Sequence, residues 1–133
     1  MTQEDKDLLF KDLCARLPYG VKFPTKICCE ATHDIIDVVR TIQSINSNGI
    51  CRTEEGDDCD FPCAWSVRPY LFPMSSMTEK QKEEIDAYYR AIFYGDTNKF
   101  INQYIDWLNK NHFDYRGLIP KGLANDATGL NIY

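Results

Sequence analysis

Two segments of the chain hold the residue types best suited to bind a ligand or a partner. Arg68-Pro69-Tyr70 places a cation beside an aromatic ring, and the stretch from Trp107 to Pro120 mixes aromatic, charged and amide side chains. Arginine pairs with phosphates and carboxylates, and aromatic rings stack on planar groups and on cations. The candidate binding residues are Arg68, Tyr70, His112, Asp114, Tyr115 and Arg116.

The same segments can also be interpreted as braces of the fold. Phe113, Leu118 and Ile119 would then anchor the segment that follows the last helix, and Asp114 and Arg116 would hold a tight turn before Gly117. Arg68 could likewise pair with Asp114 instead of facing a ligand. Both interpretations stay open at the level of the sequence.

The cysteines are the second group of residues that could carry chemistry. All six lie in the first half of the chain: Cys14, Cys28, Cys29, Cys51, Cys59 and Cys63. Zinc sites usually take ligands from Cys-x-x-Cys pairs, which this chain lacks, so a metal site at Cys51, Cys59 and Cys63, with Cys28 or His33 as a further ligand, is only an alternative. Disulfides are another alternative. We expect most cysteines to be reduced thiols and the protein to fold without a metal or other cofactor.

Signatures of catalysis are missing. The chain has two histidines, His33 and His112, and no activating motif surrounds Cys28 or Cys29. It contains no glycine-rich phosphate loop. The acidic run from Glu54 to Asp60 lacks the spaced ligands of a calcium loop. The prediction is a protein that is not an enzyme.

Composition limits the class of protein further. With 133 residues, 44% of them hydrophobic, the chain fits one domain over residues 1–133. No apolar run is long enough for a membrane helix, and the first 20 residues do not resemble a signal peptide, so we expect a cytoplasmic protein. The net charge of −5 argues against duplex nucleic acid as a partner.

The elements that must position the candidate residues follow an α+β pattern. A helix is predicted from the capping residue Thr2 to Pro18. Residues 19–73 are β-rich, with strands predicted at Gly20 to Cys28, Ile35 to Ile45, Ile50 to Thr53 and Ala64 to Leu71. Pro24 and Pro69 cannot donate to a sheet ladder, so we expect a small, curled, mainly antiparallel sheet of three to five strands, or a partly open barrel.

Residues 77–112 are predicted to be helical. Thr78 and Gln81 form a capping box, and an antiparallel pair of helices is expected near 78–94 and 97–111, with Gly95 in the left-handed conformation at the joint. The apolar stripe of the first helix is Ile85, Tyr88, Tyr89, Ile92 and Phe93. Residues 113–133 are predicted to be an irregular tail, mobile over its last ten residues.

Three segments of the chain resemble those of a family of small uncharacterised proteins carried by phages and mobile elements of gut Bacteroidales. They are Leu17 to Val21, Val67 to Glu79 (VRPYLFPMSSMTE) and Asp106 to Ile119 (DWLNKNHFDYRGLI), in the same order. The resemblance implies an origin in a phage or mobile element and a bacterial host cell. It implies no catalytic residue and no cofactor.

These observations favour a non-enzymatic accessory protein that binds a host or phage macromolecule, with inhibition of a defence system as one such role. Its partner would be a host or phage protein, or a small anionic ligand. One alternative is a sponge for a nucleotide signal, in which Arg68, Tyr70, Tyr115 and Arg116 stack and pair with phosphate. Another is a nucleic-acid-binding β-barrel module, and self-association into a homo-oligomer is left open.

Overall fold

A computed structural model describes residues 1–56, 63–95 and 97–133 and shows an α+β fold. In chain order the elements are α1 (Gln3–Arg16), β1 (Lys22–Cys28), β2 (Ile35–Ile45), β3 (Cys51–Thr53), β4 (Tyr70–Leu71), α2 (Glu79–Tyr94), α3 (Thr97–Lys110) and β5 (Asn125–Asp126). Short 3-10 helices lie at Leu17–Tyr19, Ala64–Ser66 and Met74–Ser76. The predicted order of an N-terminal helix, an antiparallel sheet and two packed helices is confirmed.

The first helix begins and ends where its sequence predicts. The hydroxyl of Thr2 accepts a hydrogen bond from the Asp5 N–H at 3.1 Å, and the Asp5 carboxylate accepts one from the Thr2 N–H at 3.3 Å. This capping box satisfies backbone donors that the first turn leaves without partners. Leu9 and Leu13 are fully buried and join the core beneath the sheet.

The sheet is open and has three antiparallel strands in the order β1-β2-β3. Pro24 lies opposite Val39 on the outer strand, which is the edge position predicted for a proline. The prediction of a curled sheet or a partly open barrel is wrong. β3 pairs with β2 only between Ile42 and Ile45, and among the described residues no further strand covers the free edge of β1.

The wrong prediction for the sheet comes from the strand predicted at Ala64 to Leu71, which does not form as such. Ala64–Ser66 instead forms a 3-10 helix that buries Ala64. Within this segment the strand is limited to Tyr70–Leu71, which pairs in parallel with Asn125–Asp126 in a separate two-stranded sheet. This segment therefore pairs with the C-terminal segment instead of extending the main sheet.

The helical pair matches the predicted bounds closely. The Thr78 hydroxyl accepts from the Gln81 N–H at 3.2 Å, and the Gln81 side chain accepts from the Thr78 N–H at 2.9 Å. Ile85 and Leu108 are buried between the helices and pack with Phe113 in a second core cluster. Gly95 has φ −141°, so its predicted left-handed conformation is wrong. A side chain there would instead meet the ring of Phe100, with a Cβ only 2.9 Å from its Cε2.

The C-terminal segment is tied to the body of the protein, contrary to the predicted mobility of its last ten residues. Leu118 and Leu123 join the main core, and Ala127 is fully buried. The Ala127 N–H donates to the carbonyl of Leu71 at 2.8 Å. The hydroxyl of Tyr133 accepts from the Lys22 N–H and donates to the Tyr70 carbonyl, each at 2.8 Å.

Candidate functional site

The predicted site begins at the turn that ends α3. The His112 N–H donates to the Asn109 carbonyl at 3.1 Å and the Phe113 N–H to the Leu108 carbonyl at 3.0 Å, which is the Schellman pattern. His112 has φ +61° at the position where glycine is usual. The turn then runs beside β4, because the Phe72 N–H donates to the His112 carbonyl and the Asp114 N–H to the Phe72 carbonyl. The structure thus brings the segment of Tyr70 and the segment of His112 together.

His112 and Asp114 are both 7% exposed and serve the local structure. The carboxylate of Asp114 accepts from the Leu118 N–H at 2.8 Å and from the Ile119 N–H at 2.9 Å, which closes the turn that contains Gly117. The imidazole of His112 stacks on the ring of Tyr133, with centroids 3.5 Å apart. Burial, aided by the charges of Arg16 and Lys22, lowers the pKa of His112 to about 4, so its ring is neutral at physiological pH.

Arg116 and Tyr115 belong to a buried polar network with α1. The Asp12 carboxylate, fully buried, accepts from Arg16 Nε at 2.8 Å and lies 3.2 Å from Arg116 Nε. Arg16 also donates to the Phe113 carbonyl at 2.7 Å, so the helix holds the turn that follows α3. The Tyr115 hydroxyl donates to Asn109 Oδ1 at 2.9 Å and accepts from Arg116 Nη2 at 2.9 Å.

Asp12 and Arg16 are the residues that sequence reasoning missed. Both lie on the face of α1 that buries Leu9 and Leu13. Two opposite charges four residues apart on an apolar helix face are the pattern that could have revealed a buried ion pair.

Arg68 does not join this network. Its guanidinium donates to the carbonyl oxygens of Trp65 at 2.8 Å and Val67 at 3.0 Å, and the predicted pairing with Asp114 is not formed among the described residues. Tyr70 is half-buried, and its carbonyl accepts from Tyr133. These contacts hold the fold together, and the binding role of the six residues stays a prediction.

The cysteines that the structure describes are free thiols. Cys51 is fully buried, and burial, with a smaller electrostatic contribution from the nearby Cys63 and Cys14, raises its pKa to about 11. A thiol with so high a pKa is a weak nucleophile at neutral pH. Within residues 1–56, 63–95 and 97–133 no group of three or more potential ligands could hold a metal ion. Cys59, the third member of the predicted cluster, and residues 57–60 of the acidic run lie outside the described residues.

Exposed apolar side chains occur at several places on the described surface, and three aromatic ones lie close together in sequence at the end of α2, on a surface here called the aromatic patch. Its members are Tyr89 (55% exposed), Phe93 (70%) and Tyr94 (90%). The rings of Tyr89 and Phe93 meet edge to face with centroids 5.2 Å apart. The helical stripe that includes Tyr89 and Phe93 predicts a core position for both, and that interpretation is wrong. Ile101 on α3 is also 42% exposed.

Comparisons of the chain with protein-family models, with curated proteins and with solved structures found no match. Of the helices described in the structure, none combines the length and the apolar character needed to cross a bilayer.

Proposed function

We propose that this protein is a non-enzymatic binding protein whose aromatic patch contacts a partner protein. The observation that carries the proposal is the exposure of three large aromatic side chains at the end of one helix, from 55% at Tyr89 to 90% at Tyr94. Aromatic residues are enriched at protein interfaces and in the few positions that provide most of the binding energy. In the free protein these rings contribute little to the core.

The charge of the chain supports a protein partner over a nucleic acid. The net charge is −5, and residues 67–133, which include the patch, hold eight acidic and eight basic residues. A surface that follows a phosphate backbone needs an excess of lysine and arginine. Arg116 of the predicted site also supports this choice, because its Nε already lies 3.2 Å from the buried carboxylate of Asp12.

The three segments that resemble phage and mobile-element proteins support a role in an infected or colonised bacterial cell. In that setting the partner is a host or phage protein in the cytoplasm, and inhibition of a defence system is the role that we favour. A small domain without catalytic machinery acts in such a role by occupying a surface of its target.

The test is site-specific crosslinking followed by reconstitution. A photo-reactive amino acid replaces Tyr94 in the protein expressed in a Bacteroidales host, and the crosslinked partner is identified by mass spectrometry. Binding is then measured by calorimetry with the purified partner. We expect Phe93→Ser to weaken binding by about tenfold or more, the effect typical of an interface hot spot, without lowering the melting temperature.

The matched control is Ile35→Ser, which alters an equally exposed apolar side chain, 72% exposed, on β2. It should leave the affinity unchanged. Equal affinity of the wild-type and Phe93→Ser proteins would contradict the proposal. Light scattering that shows a dimer dependent on Phe93 would also contradict it, because the patch would then be covered by a second copy.

A further inference from the structure

A cleft lies between α1, the turn at residues 46–49 and Trp65, on elements other than those of the aromatic patch. It has a volume of about 320 Å³, at the lower end of the range for small-molecule sites. Its lining combines two aromatic rings with polar side chains: Gln3, Lys6, Asp7, Phe10, Ser47, Gly49 and Trp65. We call this feature the Trp65 cleft.

The indole ring of Trp65 packs against a tight turn, and the residue is still 38% exposed. Gly49, at φ +78°, packs so closely that a Cβ there would lie 2.6 Å from the ring atom Cζ3. The Asn46 side chain fixes this turn by accepting from the N–H groups of Asn48 and Ile50. Arg68 secures the other side of the segment through the Trp65 carbonyl. The ring is therefore a preformed platform for stacking.

Charged groups of α1 converge on this platform. The Lys6 ammonium lies over the indole, 5.9 Å from its centroid. Gln3 Nε2 donates to Asp7 Oδ1 at 2.8 Å, which orients the carboxylate. The capping box of Thr2 and Asp5 fixes the helical turn that carries these three side chains. The cleft thus offers a planar apolar face, one cation and one carboxylate side by side.

We infer that the Trp65 cleft binds a nucleoside monophosphate. The base stacks on Trp65, since every base presents a π face to an aromatic platform. The phosphate pairs with Lys6, and a ribose hydroxyl donates to Asp7, as acidic residues do in dinucleotide sites. Lys6 is the one cation among the described lining residues, so it can pair with a single phosphate group and not with the several phosphates of a triphosphate or a polynucleotide.

This inference does not depend on the proposed function, and tryptophan fluorescence tests it. The chain has two tryptophans, so Trp107→Phe leaves Trp65 as the reporter. The probes are AMP, GMP, CMP, UMP, adenosine and inorganic phosphate. We expect saturable quenching by at least one monophosphate at concentrations up to ~1 mM, a weaker effect of adenosine and none of phosphate alone.

Two variants in the same background separate specific binding from non-specific quenching. Lys6→Ala should weaken monophosphate binding by about tenfold, because it removes a charge-assisted contact, and leave adenosine binding unchanged. Lys11→Ala removes another exposed charge of α1 that does not line the cleft and should change neither affinity. The absence of saturable quenching by all four monophosphates would overturn the inference. Equal losses in Lys6→Ala and Lys11→Ala would also overturn it.

Discussion

Asp12 is shared by two arginines while its own side chain is completely buried. Removing a carboxylate from water costs free energy. Ion pairing with Arg16 Nε at 2.8 Å and with the second cation, Arg116, offsets that cost. Arg16 is equally buried, and its Nη1 finds no partner among the described residues. The network is therefore sensitive to the loss of its single negative charge.

We predict that Asp12→Ala lowers the free energy of unfolding by about 3–5 kcal/mol, because it leaves a buried guanidinium without a counter-charge. Urea denaturation measures the loss. Asp86→Ala, which alters an exposed aspartate of α2, is the control and should change stability by less than about 0.5 kcal/mol. The double variant Asp12→Leu/Arg16→Met should be more stable than Asp12→Ala, since it removes both charges. A loss below about 1 kcal/mol in Asp12→Ala would contradict the burial of the pair.

The stacked imidazole of His112 gives a pH-dependent prediction. Its pKa is about 4 in the folded protein, against 6.5 for a free histidine, so the unfolded chain binds the extra proton first as the pH falls. The contribution of neutral His112 to the free energy of unfolding is fully present above pH 6.5. It is lost as the pH falls from 6.5 to 4, and the free energy of unfolding shows no further change from this residue below pH 4. The loss amounts to at most about 3 kcal/mol.

The measurement is the free energy of unfolding of wild-type and His112→Asn proteins across this pH range. Asparagine tolerates the left-handed backbone of residue 112, so the difference between the two proteins isolates the imidazole. His33→Asn is the matched control, because His33 is exposed and has a similar φ of +58°. Parallel pH profiles of the wild-type and His112→Asn proteins would show that His112 does not titrate as described.

At the scale of elements, the turn at residues 46–49 is limited by the ring above it. Gly49 has φ +78° and Trp65 lies against it, whereas Gly56 has φ +69° and, beyond its chain neighbours, no atom of the described residues lies within 4 Å of the position that a Cβ would take there. We predict that Gly49→Ala lowers stability by about 2–4 kcal/mol and Gly56→Ala by about 1 kcal/mol, since only the first adds a steric clash to the backbone cost. Thermal denaturation of both variants checks this. Equal losses would mean that Trp65 moves aside without cost.

The elements that could be predicted from the sequence are those defined by local signals. Capping residues and apolar spacing locate α1 and α2 to within a residue or two, because the interactions that begin a helix lie within one turn. The segment Ala64 to Leu71 could not be predicted in this way. Its extended residues pair with Asn125 and Asp126, more than 50 positions away, and no local pattern encodes that contact.

The candidate site shows the same division. Polar and aromatic enrichment identifies the segment from His112 to Arg116 as important, and the structure places it at the junction of α1, α3 and β4. Its partners Asp12 and Arg16 come from the other end of the chain, so the sequence leaves both a brace and a binding site open. Periodicity also cannot tell a buried apolar stripe from an exposed one, so the core positions predicted for Tyr89 and Phe93 are wrong.

At the scale of the whole molecule, Tyr133 connects regions that are far apart in the sequence. Its ring stacks on His112 and lies 6.0 Å from the ring of Phe72, and its hydroxyl joins the start of β1 to β4. Burial of that hydroxyl raises its pKa to about 12. The C-terminal segment therefore acts as a clamp between the sheet and the turn that follows α3.

The clamp predicts a graded loss in two variants of Tyr133. Tyr133→Phe removes two hydrogen bonds and should lower the free energy of unfolding by about 1–2 kcal/mol, while Tyr133→Ala also removes the stack and should cost more. Tyr133→Ala should in addition shift the pKa of His112 upward from about 4, because the imidazole gains access to water. Urea denaturation and NMR titration of His112 measure the two effects, and Tyr94→Phe, at a residue that is 90% exposed, is the control. A merely local contact would alter stability without changing the pKa of His112. An unchanged titration of His112 in Tyr133→Ala would therefore show that the stacked ring does not shield the imidazole from water.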